Sequence, residues 1–159
     1  MDRLWTPWRY QYISSAPAPP EGCIFCTKPA AQDDEDNLIL HRARHNFLLL
    51  NLFPYNNGHL MVAPYVHAAT LEEIDQPTAD ELFALTCHAE ALLRRVYRPQ
   101  GINIGMNIGA CAGAGVAGHI HMHLLPRWVG DAGFITTVGE TRVLPEELTT
   151  TWRRLKEAW

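Results

Sequence analysis

The chain has 159 residues, 47% of them apolar, which suits one domain with a real hydrophobic core and argues against a disordered chain. Thirteen Lys and Arg against seventeen Asp and Glu leave a net charge of −4, so the basic face that a duplex nucleic-acid binder needs is missing. Small phosphates are still possible ligands, because backbone N–H groups and a few side chains suffice to hold them.

Residues 1–22 open with aromatics (Trp5, Trp8, Tyr10, Tyr12) and continue Pro/Ala-rich. They are read as an extended arm that docks on the domain or on a second subunit. Residues 23–159 are read as the domain, with a C-terminal extension. Cys23-Ile-Phe-Cys26 is a knuckle, and residues 32–36 form an acidic loop. Strands are expected over residues 37–41 and 47–52, the second a near-continuous apolar run. Pro54-Tyr-Asn-Asn-Gly58 has strong turn chemistry, and residues 59–64 return as the second arm of a hairpin. Thr78-Ala-Asp-Glu81 is a capping-box pattern ahead of Leu82, Leu85, Ala89, Leu92 and Val96, whose spacing predicts one long helix. Residues 102–108 alternate as a strand with one polar face, residues 110–118 are a small-residue loop, and residues 119–125 are a strand. Pro145 and two Glu open a closing helix. The order of elements predicts an α+β fold with a mainly antiparallel sheet, one long helix and a C-terminal helix.

No apolar stretch reaches the length of a membrane span, and the N-terminus lacks the apolar core of a signal peptide. A cytoplasmic protein with no membrane or nucleic-acid partner is expected. Its four cysteines should be thiols or metal ligands rather than disulfides. Cys87, in the helical pattern, and Cys111, in the small-residue loop, are expected to be inert and partly buried, and His88 to be exposed on the helix.

The chemistry concentrates in His119-Ile-His-Met-His123. In a strand, residues two apart share a face, so three imidazoles line up while Ile120, Met122 and Leu124 turn to the core. A solvated strand edge, a metal cluster, or a nucleophilic histidine with two supporting neighbours would each account for such a row. The preceding loop favours the third. Its glycines carry no reactive side chain but let backbone N–H groups approach a phosphate. Asn107, at the end of the previous strand, is placed to donate to the same phosphate. Cys23 and Cys26 are moderate evidence for metal, and no thioredoxin-like βαβ pattern surrounds them.

His-Ile-His-Met-His-Leu-Leu-Pro resembles the signature of the histidine triad (HIT) family. Leu50-Asn51 before a Pro-containing turn and Gly58-His59-Leu-Met-Val-Ala-Pro64 are similar to the same core, and the resemblance covers roughly residues 23–128. It implies the HIT fold and a nucleotidyl-histidine mechanism with His121 as nucleophile on an α-phosphate. His123 would stabilise the phosphate, His59 would support the row from behind, and His119 would complete it. Asn51 would take the ribose hydroxyls. Gly115, Val116 and Gly118, with Asn107, would surround the phosphate. Many HIT hydrolases have Gln and then Ser or Thr where this chain has Gly115 and Val116, so a side-chain hydroxyl is missing there. HIT members with the cysteine knuckle complete a zinc site with a histidine in Pro-x-x-His and the first triad histidine. Here those are His67 and His119, and His41 and His45 are rivals to His67 as third ligand. Two Cys and two His close a tetrahedron, which implies a structural zinc and no organic cofactor.

Leu4-Trp-Thr-Pro-Trp-Arg-Tyr and Pro126-Arg-Trp-Val-Gly-Asp-Ala-Gly-Phe are similar to a bacterial branch that includes diadenosine tetraphosphate phosphorylases. That branch implies AMP, ADP or ATP moieties as ligands, with inorganic phosphate as a second substrate. Arg127 is a candidate phosphate contact there, and Trp128 a candidate subunit contact. A hydrolase of dinucleoside polyphosphates, a phosphoramidase, a non-catalytic nucleotide-binding module and a hydrolase with a catalytic zinc are the alternatives. Family resemblance implies a homodimer, and the arm leaves room for a homotetramer.

Overall fold

The computed structural model describes residues 22–133, 136, 138–139 and 144–159. Residues 1–21 of the aromatic arm therefore lie outside the described residues. The elements in chain order are α1 (Ile24–Ala30), β1 (Ile39–Arg42), β2 (Asn46–Leu50), β3 (Leu60–Pro64), α2 (Gln76–Tyr97), β4 (Gly101–Gly105), β5 (Met122–Arg127) and α3 (Leu148–Ala158). Short 3-10 turns lie at Leu71–Glu73 and Ala110–Ala112. The five strands make one sheet in the order β1-β2-β3-β5-β4, with every neighbour antiparallel.

The apolar run that predicts β2 is continuous because both faces of the central strands are covered. Leu48 and Leu50 of β2, with Leu60 and Val62 of β3, join Leu82, Leu85, Ala89, Leu92 and Leu93 of α2 and Leu155 of α3. Phe47 and Leu49, with Met61 and Ala63, turn the other way and join Phe25 of α1. The strand stops at Leu50, and Leu52, expected inside it, is half exposed in the turn. Gly58 closes that turn at φ +71°, and a Cβ there would press on Tyr97 at 3.2 Å and Leu93 at 3.3 Å, so any other residue is strained in backbone and crowded in side chain.

Other boundaries move for local reasons. β1 starts at Ile39 rather than residue 37 because Leu38 sits at φ 60°, outside the strand region. β4 leaves the sheet after Gly105. β5 begins at Met122, not at residue 119, because the Ile120 N–H bonds the Ala68 carbonyl outside the ladder. The closing helix starts at Leu148, and its Trp152 and Lys156 donate to the carbonyls of Ile39 and Leu40, which covers the β1 edge of the sheet.

The capping-box expectation fails. Asp75 is the N-cap of α2 and accepts from the Thr78 N–H at 3.0 Å, with Pro77 in the first turn. Glu81 instead accepts the backbone N–H groups of Arg44, His45 and Asn46 and the Asn46 amide, at 2.7 to 3.1 Å. This carboxylate holds the β1–β2 turn against the long helix. Glu81→Ala is expected to cost about 2–4 kcal/mol in urea unfolding, because four donors lose their acceptor together. A loss below 0.5 kcal/mol, roughly that of an ordinary surface substitution, would contradict that role.

Candidate functional site

The face of the sheet that carries α1 also carries the histidines. Cys23 is the N-cap of α1, so one helical turn brings Cys26 back to the same side. His67 follows β3 and His119 precedes β5. Their four ligand atoms lie within 4.8 Å of one another. Cys23 Sγ is 3.3 Å from His119 Nδ1, Cys26 Sγ is 3.7 Å from the same atom, and Cys26 Sγ is 3.4 Å from His67 Nδ1. A tetrahedral zinc with ordinary Zn–S and Zn–N bonds sets S···N edges of about 3.6 Å, so the donor set fits that ion in both chemistry and size. His119 Nε2–H donates to the Pro64 carbonyl at 2.9 Å, which leaves Nδ1 with a free lone pair facing the thiols. Burial, then the hydrogen bond and charge of Cys23, push the Cys26 thiol up, and a divalent cation would reverse that balance. The rivals for the third ligand are elsewhere. His41 accepts from Trp159 Nε1 at 3.0 Å, and His45 sits in the β1–β2 turn, where its backbone N–H donates to Glu81.

The neighbouring rings follow a fixed hydrogen-bond order. His121 Nδ1–H donates to the His119 carbonyl at 2.9 Å, so the lone pair of His121 is on Nε2. His59 Nδ1 accepts the Tyr55 N–H at 3.1 Å, so its proton is on Nε2 and is donated to His123 Nδ1 at 2.9 Å. Neutral His123 therefore carries its own proton on Nε2. The site thus presents one imidazole lone pair and one imidazole N–H from adjacent rings, whose centroids are 4.7 Å apart.

Burial decides the charge state. His59 and His119 are fully buried and His121 is 4% exposed, so the solvated-edge alternative does not describe this row. Burial lowers His121, and burial followed by the charge of His121 pushes His123 down to about 4. The unfolded chain binds a proton at His123 near the ordinary value of 6.5, whereas the folded chain resists it down to about 4. The stability tied to this ring is thus fully present above about pH 6.5 and is lost as pH falls towards about 4. For a partly exposed ring this amounts to about 1–2 kcal/mol. Urea midpoints at about pH 7.5 and 4.5 are expected to differ more in the wild type than in His123→Gln; equal differences would remove His123 as a contributor.

The remaining sequence candidates are placed unevenly. Asn51 donates to His59 Nδ1 at 3.3 Å and accepts from the Phe53 N–H, at the mouth of the hairpin. Val116 packs on the Phe25 cluster, a Cβ on Gly118 would lie 3.6 Å from His67, and Gly115 borders open space. Asn107 is half-buried beyond β4, and no hydrogen bond among the described residues ties it to the histidines. Arg127 is engaged by Asp131 at 2.6 and 2.8 Å and by Asn103 at 3.0 Å, which commits its guanidinium to the following turn and to β4. Trp128 packs edge-on to Tyr97. Cys87 and Cys111, expected to be partly buried, are both exposed: Leu85, Thr86 and Ala89 take the inner face of α2, and the Ala110–Ala112 turn that holds Cys111 has no buried residue. Two aromatic neighbours of the histidines were not anticipated from the residue pattern. Phe25 lies 4.6 Å from the His121 ring and Tyr55 4.6 Å from His59. The position of Phe25 between two cysteines was the available signal.

Known proteins resemble this chain in sequence and in fold. A family model described as the HIT domain matches residues 32–129. A Mycobacterium tuberculosis protein named AP-4-A phosphorylase is 40% identical over 165 aligned positions, covering 100% of this chain and 85% of the relative. The Bacillus subtilis protein hit is 30% identical over 114 positions, covering 72% of this chain and 77% of its own length. Among solved structures, a zinc-bound histidine triad family protein from Mycobacterium smegmatis superposes with a TM-score of 0.70 at 25% identity, covering 86% of this chain and 92% of that one.

Proposed function

Starting from the fact that this chain belongs to the HIT domain family, we propose that it is a nucleotidyltransferase that cleaves dinucleoside polyphosphates through His121, with phosphorolysis of diadenosine tetraphosphate to ATP and ADP as the favoured reaction. The observation that carries this reading is the tautomer order, His121 with a free Nε2 lone pair beside His123 with an Nε2–H. Attack by His121 Nε2 on the α-phosphorus forms a P–N bond. The P–O bond to the ATP leaving group breaks, and the phosphate charge meets the His123 donor. An oxygen of inorganic phosphate then attacks the same phosphorus, the P–N bond breaks, and ADP leaves with His121 restored. The His59 donor keeps His123 in the donating tautomer throughout.

The 40% identity to the mycobacterial phosphorylase supports phosphate over water as the acceptor. Val116, where many HIT hydrolases carry a hydroxyl, packs on the Phe25 cluster, and the lack of a hydroxyl there supports the same reading. Asn51 is the proposed ribose contact, Asn107, Gly115 and Gly118 the proposed phosphate surroundings, and Cys23, Cys26, His67 and His119 the proposed ligands of a structural zinc. These residues would hold the ion between α1 and the start of β5, and a set of four protein ligands is that of a structural rather than a catalytic zinc. No helix among the described residues is long and apolar enough to cross a membrane, and cytoplasmic placement and a homodimer or homotetramer are part of the proposal. The test is product analysis with diadenosine tetraphosphate. Phosphate should speed turnover and give ATP plus ADP; AMP plus ATP at a phosphate-independent rate would replace phosphorolysis by hydrolysis.

A further inference from the structure

The cysteine knuckle does more than carry two thiols. Phe25 stands between them, 1% exposed, with its ring centroid 5.3 Å from that of His119 and 4.6 Å from that of His121, tilted 32° to the latter. An imidazole on a χ2 torsion has two broad orientations related by a ring flip. Only one of them directs Nδ1–H to the His119 carbonyl and Nε2 outward. Three contacts hold that orientation here, the carbonyl, the Phe25 ring and the edge-on His123 ring, and the first two belong to residues fixed by the proposed metal ligands. Phe25 is clamped by ligands on either side. The His119 carbonyl belongs to a residue whose ring is held at Nε2 by Pro64 and faces Cys23 and Cys26 through Nδ1.

We propose that Phe25 is a positioning residue for His121 and that the metal knuckle sets the tautomer and orientation of the nucleophile through Phe25 and the His119 carbonyl. This rests on the reading of His121 as nucleophile. It assigns the bound ion an effect on the reacting nitrogen without contact between the two.

The experiment uses protein labelled with 15N at histidine, loaded with zinc, and reads the imidazole nitrogens by long-range 1H–15N correlation at about pH 8, above ordinary imidazole titration. The His121 signals are assigned by their absence in His121→Asn. The wild type should show one Nδ1–H tautomer. Phe25→Leu, which keeps the core apolar but removes the flat ring, should show averaged nitrogen shifts, as should wild type stripped of metal. In Phe25→Leu, kcat should fall by on the order of tenfold to a hundredfold with KM within about twofold, as expected when a nucleophile is misplaced while substrate binding is intact. A folded, zinc-bound Phe25→Leu protein that keeps a single tautomer and the wild-type kcat would overturn the proposal and leave Phe25 as core packing alone. If stripping the metal unfolds the chain, the loaded Phe25→Leu protein decides the question. Absence of turnover in the wild type would defeat the proposed function, whereas the nitrogen shifts report on positioning independently of any substrate.

Discussion

His121→Ala is expected to lower nucleotidyl transfer by on the order of 10^4-fold or more while leaving a folded protein, because the covalent route disappears with the nitrogen that forms the P–N bond. The loss should appear in kcat, with nucleotide binding largely retained, since His123, His59 and Asn51 are bonded to one another and not to His121. Truncation of this 4% exposed ring removes one hydrogen bond to the His119 carbonyl and its packing on Phe25 and His123, so some stability will go with it. Thermal melts must accompany the kinetics for that reason. A variant that retains activity within tenfold of the wild type would show that another group attacks the phosphate.

The second large effect concerns the metal. Zinc at the proposed ligands Cys23, Cys26, His67 and His119 would bind the folded chain more tightly than the unfolded one, so it would stabilise by mass action, by up to about 4 kcal/mol at a thousandfold excess over its Kd. For a domain of this size that corresponds to a fall in Tm of roughly 10 °C on chelation or in Cys26→Ser. Elemental analysis should give one zinc per chain in the wild type and none in Cys26→Ser. The alternative of a catalytic zinc makes the opposite forecast, with activity abolished by chelation and Tm nearly unchanged. An unchanged Tm together with a lost zinc would therefore count against the structural assignment.

Much of the site was legible in the sequence because it rests on short-range rules. Alternation put His119, His121 and His123 on one side, the Pro-Tyr-Asn-Asn-Gly turn announced the hairpin that delivers His59, and a Cys-x-x-Cys spans one helical turn. What escaped depends on distant partners. The choice of His67 over His41 and His45 is made by tertiary placement, since His41 lies on the edge strand under Trp159. Glu81 looked like a cap because its spacing from Thr78 is right, yet its carboxylate oxygens serve a turn 35 to 37 residues away. The late start of β5 comes from the bond between Ile120 and Ala68, which no local pattern encodes. That a nucleophilic His121 should donate its other nitrogen to a backbone carbonyl followed from its role, and the His119 carbonyl takes that bond; the tautomers of His59 and His123 came only with the network, because each ring's proton is fixed by the partner of its other nitrogen.

The covalent intermediate is the central claim, and it is tested most directly by stopping the reaction with it in place. Stoichiometric enzyme mixed with diadenosine tetraphosphate without phosphate, quenched, digested and mapped by mass spectrometry, should carry one AMP moiety on the peptide that contains residues 119–123, localised to His121. Adding inorganic phosphate before the quench should discharge it as ADP. An AMP moiety on any other residue, or an enzyme that turns over with no adduct, would contradict the account.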